Sequence, residues 1–326
     1  MKAIIYQEYG SPKVLHLKEV EKPIPTPDEV LVKIHAASVN SWDWDLLRGK
    51  PFLARLDGGI RKPKHPILGA DIGGTVEAVG ENVKDFKPGD AVFGDISSCH
   101  FGGFAEYVCA KEMYLSLKPP EMTFPEAAAL SHAGMLALQG LGRLEGIRKG
   151  DKVLINGAGG GVGTVAIQLA KYKDAEVTAV DHASKLDLLR AVGADHVIDY
   201  QKEDYTKNGQ VYDLIIDVAA YYSVFDYQRA LSPKGTFVMV GGFMTLLLPL
   251  LFWGALFSIF SNKKLQLLVY KPNRKDLDFL KALYLEGKLA PVIDKVYALH
   301  EVPQAIQYLG EGRVKGKLVV SMDPKE

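Results

Sequence analysis

The residues with the clearest chemical meaning are the glycines of "VLINGAGGGVGTVAIQLAK" (153–171). A strand-like apolar run precedes them and a helix-like run follows. Glycines allow a tight turn and a close approach to a pyrophosphate, and a helix N-terminus offers free N–H groups and a positive dipole end. The register is A-x-G-x-x-G (Ala158, Gly160, Gly163), and Asp181 follows Gly160 by 21 positions, at the end of the next strand-like run. This pattern predicts a dinucleotide-binding loop, and a glycine turn without a ligand is the alternative.

The elements that must position this loop can be predicted from the pattern around it. From residue 152 to about 240, short apolar strands alternate with helical patterns, which indicates a parallel sheet covered on both faces. The first 120 or so residues contain short β-prone runs separated by Pro, Gly and Asp turns. Thr123 is the predicted N-cap of a long helix, with Pro125 in its first turn. The chain ends in strands again, so we predict an α/β protein whose β-rich domain is completed by the C-terminus.

Composition excludes several classes of function. The chain has 326 residues, enough for two domains, and its 39 basic residues balance 39 acidic ones, which does not favour nucleic-acid binding. Only two cysteines occur, Cys99 and Cys109, too few for a disulfide framework and compatible with a reducing compartment. The start, "MKAIIYQEYG", alternates like a strand rather than a signal peptide. We therefore expect a cytoplasmic protein.

One apolar stretch stands apart from this balanced composition. Residues 241–262 carry no charged side chain, and Pro249 lies among the 17 uncharged residues 244–260. A transmembrane helix needs roughly 20 apolar residues. A span would also separate the following strands from the rest of their fold. The stretch therefore predicts a buried helix, a subunit contact, the wall of an apolar site or a membrane-surface contact, rather than a span.

Motifs along nearly the whole chain resemble those of a known family. They include "AASVNSWDWDLLRG", "HPILGADIGGTVEAVGENVKDFKPGDAVFG", "GGFAEYV" and "GADHVIDY", besides the glycine loop. Together they resemble the zinc-free, quinone-oxidoreductase type of medium-chain dehydrogenase/reductase. The resemblance implies a discontinuous GroES-like substrate domain, residues 1–124 and 290–326, and a Rossmann domain, residues 125–289. It further implies a nicotinamide cofactor in the cleft between the two domains.

The residues that hold zinc in other members of this family are replaced here. Asn40 stands at the position of the first cysteine ligand, and Gly69-Ala70-Asp71 replaces the Gly-His-Glu segment. The four-cysteine structural lobe is missing, and three scattered histidines lack a metal-ligand spacing: His65, His100 and His132. We therefore predict no metal.

Without a Lewis acid, alkoxide chemistry at an alcohol loses its main stabiliser. Hydride delivery to a conjugated acceptor spreads negative charge that hydrogen bonds can hold. The predicted activity is therefore NAD(P)H-dependent reduction of quinones or α,β-unsaturated carbonyls. One alternative is a zinc-independent alcohol or enoyl reductase on the same scaffold. Another is a nucleotide-binding module with little catalysis, like the crystallin and vesicle-protein relatives.

Three residues are predicted to be catalytic. Asn40 matches the active-site asparagine of the family and would bond the substrate carbonyl or the nicotinamide ribose, with helix capping as its alternative role. Asp43 lies in the first turn of "SWDWDLLRG", where a helix dipole favours acids in any case. His132 is a candidate proton donor, with a structural histidine and protonation from solvent as alternatives. Asn40, Trp44 and Phe243 are predicted to contact the substrate, although Trp44 fits core packing equally well.

The resemblance also implies the cofactor contacts. Lys185 and Tyr200 match residues that bind the 2′-phosphate of NADPH, whereas Asp181 suits the ribose hydroxyls of NADH. We predict NADPH, with NADH as the alternative. Leu136 replaces a threonine of the family, so one cofactor contact is expected to be lost. The complete predicted set is Ala158, Gly159, Gly160, Gly161, Val162, Gly163, Asp181, Lys185, Tyr200, Val218, Gly241 and Gly242.

The expected partners are an apolar small-molecule acceptor and a second copy of the chain, because family members commonly pair through the Rossmann domain. Residues 243–260 are a further candidate for peripheral membrane contact. Pro249 is expected to divide that stretch into two pieces. Its predicted wall of an apolar acceptor site consists of Phe243, Leu247, Leu250, Phe252 and Trp253.

Overall fold

The chain divides into two compact units. The computed structural model describes residues 1–322, and within them all side chains except those of Asp57, Ala255, Ser258 and Ile259. The first unit contains residues 1–135 and the chain from residue 272 onward, and the second contains residues 136–271. The first unit is therefore discontinuous in sequence.

Strands dominate the first third of the chain, and strands alternate with helices after it. The strands are β1 (Lys2–Ile5), β2 (His16–Glu19), β3 (Glu29–Val39), β4 (Asp71–Val79), β5 (Ala91–Asp95), β6 (Tyr107–Lys111), β7 (Leu115–Leu117), β8 (Lys152–Asn156), β9 (Glu176–Asp181), β10 (His196–Asp199), β11 (Tyr212–Asp217), β12 (Leu231–Met239), β13 (Lys264–Leu267), β14 (Ile293–Ala298) and β15 (Lys317–Ser321). The α-helices are α1 (Ser41–Arg48), α2 (Ala54–Gly58), α3 (Phe124–Gly140), α4 (Gly161–Tyr172), α5 (Leu186–Ala191), α6 (Val224–Ala230), α7 (Leu247–Phe260), α8 (Arg274–Leu285) and α9 (Val302–Gly310).

The first unit is built on a seven-stranded sheet in the order β14-β15-β3-β4-β5-β7, in which β6 also pairs with β3. All its pairs are antiparallel except β14 with β15. The C-terminal strand β15 lies beside β3, so residues almost 280 positions apart in sequence become neighbours. The C-terminus thus completes the β-rich unit, as the sequence predicts.

The second unit is a six-stranded sheet in the order β10-β9-β8-β11-β12-β13, and every neighbouring pair is parallel. The chain winds outward from β8 in one direction and from β11 in the other. The strand order therefore reverses between β8 and β11, and in such sheets ligands bind at the carboxyl ends of the strands beside that reversal. The predicted α/β class, with a β-rich part and a doubly wound parallel part, is confirmed.

Two segments belong to the first unit although the predicted boundaries place them in the second: residues 125–135 and 272–289. The reason is local bonding of α8 to strand β7. Arg274 donates to the carbonyl of Leu115 at 2.7 Å, and Ser116 donates to the carboxylate of Asp278 at 2.6 Å. The predicted N-cap of α3 is confirmed, because the Thr123 hydroxyl accepts the Glu126 N–H at 3.3 Å.

The apolar stretch forms a single crossover helix between the parallel strands β12 and β13. A short 3-10 turn, Met244–Leu246, leads into α7. The prediction that Pro249 divides the stretch is wrong, because Pro249 lies in the first turn of α7, where N–H groups have no intrahelical acceptor. The 14 residues of α7 span about 21 Å, less than a bilayer core of about 30 Å. In residues 1–322, no helix has the length and apolar character to cross a membrane.

Candidate functional site

The glycine loop of the second unit has the geometry that its sequence predicts. Gly157 directly follows β8 and has a φ of 74°, a left-handed conformation that favours glycine. α4 begins at Gly161, with Gly160 at its N-cap. A Cβ on Gly163 would lie 2.4 Å from backbone atoms of Ala158, so the helix can approach the loop this closely only with glycine. The first N–H groups of a helix have no intrahelical acceptor, and helix starts of this kind bind pyrophosphate groups in dinucleotide-binding folds.

Asp181 holds this loop from the neighbouring strand. Its Oδ2 accepts the Gly159 N–H at 2.8 Å, and its Oδ1 accepts the His182 N–H at 2.7 Å. Lys185 lies 3.3 Å from the same Oδ1, so the lysine is paired within the protein. Tyr200 remains 43% exposed. Asp181 and Lys185, the two residues with opposite predicted effects on a 2′-phosphate, therefore form one ion pair.

The loops after β11 and β12 are joined at the same edge of the sheet. Val218 N–H bonds the Asn156 carbonyl at 3.0 Å, and Ala220 N–H bonds the Gly241 carbonyl at 3.0 Å. A Cβ on Gly241 would lie 2.6 Å from the Val218 carbonyl oxygen. Gly242 has a φ of 136°, which side chains rarely adopt. The predicted cofactor residues of these loops thus lie beside the strand reversal, next to the glycine loop.

A buried carboxylate, Asp217, fixes the end of β11. Its Oδ1 accepts the Asn156 amide at 2.8 Å and the Ala219 N–H at 2.9 Å, and its Oδ2 accepts the hydroxyls of Tyr227 at 2.9 Å and Tyr205 at 3.2 Å. All of these donors are neutral. Burial raises the pKa of Asp217 although the hydrogen bonds act to lower it. This carboxylate anchors the loop that contains Val218.

A row of polar side chains crosses the sheet of the first unit. Strand register places Ser38 opposite Asp71, and Asp71 opposite Asp95, on β3, β4 and β5. All three side chains are fully buried. Like charges directly opposite each other on neighbouring strands repel, so the two carboxylates require compensating cations.

Two cationic side chains meet these carboxylates. Lys317, at the start of β15, places Nζ 3.3 Å from Asp71 Oδ2, and His132 of α3 places Nδ1 2.6 Å from Asp95 Oδ2. The backbone N–H of His132 also donates to Asp71 Oδ1 at 2.6 Å. Burial acts to lower the pKa of His132, but the carboxylates of Asp95 and Asp71 raise it above its ordinary value. We call the set the Asp71 cluster; its members are Ser38, Asn40, Asp71, Asp95, His132 and Lys317.

Asn40 occupies the N-cap position of α1, but its side chain points into the Asp71 cluster. Its Nδ2 donates to Asp71 Oδ2 at 2.8 Å, and its Oδ1 accepts from Lys317 Nζ at 2.6 Å. The capping bond is made instead by Asp43, whose Oδ2 accepts the Asn40 N–H at 2.8 Å. The Asn40 amide is therefore held in one orientation, with its oxygen toward the ammonium.

The other acids of α1 have structural partners. Asp43 is fully buried, and its Oδ1 accepts the Gly69 N–H at 2.8 Å, which ties α1 to the start of β4. Burial raises the pKa of Asp43 to about 6, against the lowering effect of its backbone bonds. Asp45 pairs with Arg48 at 3.0 Å. This geometry corrects the catalytic prediction for Asp43, which holds two backbone amides in place instead of facing a ligand.

Trp44 lies on a different face of α1 from the cluster. The Arg48 guanidinium covers its ring at 4.4 Å, and a Cβ on Gly310 of α9 would overlap that ring at 2.4 Å. The substrate prediction for Trp44 is therefore wrong, because the side chain packs between two helices. Trp42, two residues earlier, is the tryptophan beside His132, with ring centroids 6.3 Å apart.

The predicted apolar wall of the second unit is split between core and surface. Leu250 is buried in the cluster that packs on the sheet, and Trp253 packs against Phe225 with ring centroids 5.0 Å apart. Phe243 and Phe252, in contrast, are 65% and 64% exposed. The wall prediction is therefore wrong for Leu250 and Trp253, which stabilise α7 on its sheet.

Two potential donors in the first unit, Asn40 and Cys109, are poorly suited to a zinc ion. Asn40 Oδ1 is occupied by an ammonium, which would repel a second cation at that amide. Burial raises the pKa of Cys109 to about 12, which disfavours the thiolate that zinc requires. In the part of the chain that the structure describes, no three His, Cys, Asp or Glu side chains are grouped as a metal site.

Sequence reasoning missed four residues of the Asp71 cluster: Ser38, Asp71, Asp95 and Lys317. Each lies at a strand end or one residue from it, where a polar residue is ordinarily solvated. The usable signal was the motif "GADIGG", since an acid that begins a strand of buried residues needs a partner. The identity of that partner follows only from the pairing of β15 with β3.

Two family models match the chain. Residues 26–120 match the alcohol dehydrogenase GroES-like domain, and residues 192–320 match a family described as zinc-binding dehydrogenase. The first match lies wholly within the first unit. The second match covers parts of both units.

Similar proteins are found along the full length. A protein named quinone-oxidoreductase QR1, chloroplastic, from Triphysaria versicolor is 36% identical, with 98% of each chain covered. An NADPH-dependent alkenal/one oxidoreductase, chloroplastic, from Arabidopsis thaliana is 34% identical, over 98% of this chain and 79% of that protein. The solved structure of the quinone oxidoreductase from Coxiella burnetii has a TM-score of 0.87 and 31% identity, with 99% of each chain covered.

Proposed function

The chain belongs to the medium-chain dehydrogenase/reductase family, in its quinone-oxidoreductase-like branch, and we propose that it is an NAD(P)H-dependent reductase of quinones and α,β-unsaturated carbonyls. Relatives named quinone oxidoreductase and alkenal/one oxidoreductase support both acceptor classes. The resemblance of the glycine loop to a pyrophosphate site supports the cofactor.

The observation that carries the proposal is the Asn40 amide. One of its N–H groups makes only a long bond, 3.4 Å to the Ser38 carbonyl, whereas the Lys317 ammonium and the Ser38 hydroxyl are bonded within the cluster. An amide donor suits an acceptor whose negative charge is spread by conjugation, as in an enolate or a hydroquinone anion. An isolated alkoxide would call for a stronger Lewis acid.

The chain's own contribution to the reaction is then electrostatic and positional. A bound reduced nicotinamide supplies a hydride. We propose that Asn40 Nδ2 donates to the acceptor oxygen, where negative charge develops once the hydride has reached the β-carbon of an enone. A proton then completes the saturated ketone, so that one hydride and one proton are consumed per acceptor. His132, whose pKa is raised by the carboxylates of Asp95 and Asp71, is the proposed source of that proton, with solvent as the alternative.

For the cofactor, we propose that both NADPH and NADH are used, with NADPH ahead by less than about tenfold, since two opposing charges act at the 2′ position. Lys185 attracts a 2′-phosphate, whereas Asp181 repels it. Asp181 also forms an ion pair with Lys185, with Nζ 3.3 Å from Oδ1, which weakens the attraction of the lysine for a phosphate. The exposed ring of Tyr200 is free to lie against the adenosine end.

For partners, we propose a homodimer that covers the exposed face of α7. Leu248, Phe252 and Phe260 are 77%, 64% and 81% exposed, and β13 beside them is an edge strand of the sheet. Sedimentation measures the oligomeric state. Wild type and the surface control Leu285→Ser should sediment as dimers, and the double variant Leu248→Ser/Phe252→Ser as a monomer. A wild-type monomer that floats with lipid vesicles would indicate a membrane contact instead.

We also propose that the protein is located in the cytoplasm.

The test of the activity is a panel of acceptors with each cofactor. Purified protein is mixed with NADPH or NADH and a small quinone, an enone, an enal or a saturated ketone, and loss of the reduced-nicotinamide absorbance is followed with and without a chelator. We expect reduction of quinones or enones that the chelator does not change. Cofactor binding without reduction of any acceptor would favour the nucleotide-binding module. Chelator-sensitive turnover of alcohols or saturated ketones would favour a zinc dehydrogenase.

A further inference from the structure

Lys317 is a buried lysine whose position is set by strand pairing. Leu318 pairs with Val39 in the antiparallel β15–β3 register, which places Lys317, the first residue of β15, beside Asn40, the residue after β3. Its ammonium donates to Asn40 Oδ1 at 2.6 Å, to the Val39 carbonyl at 3.2 Å and to Asp71 Oδ2 at 3.3 Å. An ammonium has three N–H donors, and these three bonds use them all.

The distances show which partner holds the ammonium most closely. A lysine that served only to neutralise Asp71 would lie nearer to the carboxylate than to any neutral group, because the charged pair attracts more strongly. Here Nζ is 2.6 Å from the Asn40 amide oxygen and 3.3 Å from the carboxylate. The ammonium is thus placed primarily on the amide.

The Asn40 amide is polarised by this arrangement. A cation at the carbonyl oxygen draws electron density from the amide nitrogen and makes its N–H groups stronger donors. One N–H is engaged by Asp71 at 2.8 Å, and the other reaches the Ser38 carbonyl only at 3.4 Å, a long bond that an oxyanion can replace.

We propose that Lys317 is a positioning residue for acceptor reduction: through the Asn40 amide, it strengthens and orients the N–H that stabilises negative charge on the acceptor oxygen. The inference rests on the proposed function, in which Asn40 contacts the acceptor. It differs from that function because Lys317 itself touches no ligand and acts only through Asn40.

A double-mutant cycle tests the proposal with purified full-length chain, NADPH and an enone reduced by wild type. Asn40→Ala is expected to lower kcat roughly 100-fold, and Lys317→Met about tenfold with little change in KM. In the Asn40→Ala background, Lys317→Met should change kcat by less than about twofold, since the amide through which it acts is gone. Lys317→Arg keeps a cation and should retain more of kcat than Lys317→Met.

The matched control is Lys281→Met, which removes another lysine of the same unit, bonded to Asp278 and Ser116 at 2.6 and 2.8 Å. It should leave kcat unchanged. Cofactor fluorescence and thermal unfolding are measured for every variant, so that loss of folding is separated from loss of rate. If Lys317→Met does not fold, Lys317→Gln replaces it, because its amide still donates but carries no charge.

The variants distinguish the role of Asn40 from that of Lys317. If Asn40→Ala reduces the enone at the wild-type rate, the proposed acceptor site is wrong. If Asn40→Ala is slow but Lys317→Met is not, the site stands and the role of Lys317 is overturned. Equal losses from Lys317→Met with and without Asn40 would also overturn it, because the lysine would then act through stability alone.

Discussion

Asp71 in the first unit and Asp217 in the second are both fully buried carboxylates at the ends of sheet strands, yet their partners differ in kind. The four donors to Asp217 that the structure describes are neutral, and all lie within 61 residues of it in sequence. Asp71 accepts from an amide and a backbone N–H, and pairs with the ammonium of Lys317, 246 residues away. Burial raises the pKa of Asp217. Asp71 forms an ion pair with Lys317.

The difference indicates two kinds of task. A carboxylate surrounded by neutral hydrogen-bond donors can anchor a loop, which is what Asp217 does for the segment with Val218. A buried carboxylate–ammonium pair costs desolvation energy that well-packed apolar residues would avoid, so stability alone explains it poorly. Its placement at Asn40 is what the proposed chemistry needs.

The largest effect is expected from removing the charge of Asp71. Asp71→Asn leaves the Lys317 ammonium buried without its counter-ion, so the free energy of unfolding should fall by about 3–5 kcal/mol. Asp217→Asn is the matched variant, and with only neutral partners it should cost about 1–3 kcal/mol. Urea unfolding of both variants measures this. Equal losses would contradict the contrast between the two carboxylates.

The glycine loop gives the next effect. Gly163→Ala places a Cβ within 2.4 Å of Ala158 backbone atoms, so the loop must shift and the protein should lose about 1–3 kcal/mol of stability and bind cofactor more weakly. Gly160→Ala is the folding control, since its nearest neighbour would be Gly157 O at 3.7 Å. Thermal unfolding and cofactor fluorescence are the measurements. A Gly163→Ala protein as stable as Gly160→Ala would show that the close approach is unimportant.

Cofactor preference should respond to Asp181. Asp181→Gly removes the charge that repels a 2′-phosphate and releases Lys185, so the ratio of kcat/KM for NADPH over NADH should rise about tenfold or more. The same substitution removes the acceptor of the Gly159 N–H, so both cofactors are also expected to bind less tightly. Steady-state kinetics with each cofactor decides. A shift toward NADH would refute the assigned role of Asp181.

The smallest effect concerns pH. The folded-state pKa of His132 is raised above its unfolded value of about 6.5, so its contribution to stability is full below that value and is lost as pH rises through the folded pKa. The difference in unfolding free energy between wild type and His132→Asn should therefore be larger at about pH 6 than at about pH 9. A pH-independent difference would mean that the Asp95 contact does not involve the imidazolium.

The two units also differ in how far the sequence predicts them. The glycine loop could be located from residue types and spacing, since strand, turn and helix follow one another within 20 residues and each local preference agrees with the fold. The parallel sheet and the alternation of helices follow from the same local patterns. The sequence does not predict that α7 is one continuous helix joining β12 to β13. A proline in the first turn of a helix and a proline that breaks a helix look the same in a sequence.

The Asp71 cluster could not be predicted in the same way. Asn40 and His132 were candidates through resemblance to a family, but the partners that orient them come from β4, β5 and β15. Their meeting depends on strand register, which a single sequence does not specify. Trp42 and Trp44 illustrate the same limit, since a rotation of α1 decides which ring lies beside His132.

Cofactor binding and acceptor reduction can be measured separately in the variant Asn40→Ala. The glycine loop is proposed to bind the cofactor, and Asn40 to stabilise the negative charge on the acceptor. The variant should therefore bind NADPH with an unchanged Kd in fluorescence titration and reduce an enone roughly 100-fold more slowly in single-turnover absorbance measurements. An unchanged rate of reduction, or a loss of cofactor binding as large as the loss of rate, would contradict these roles.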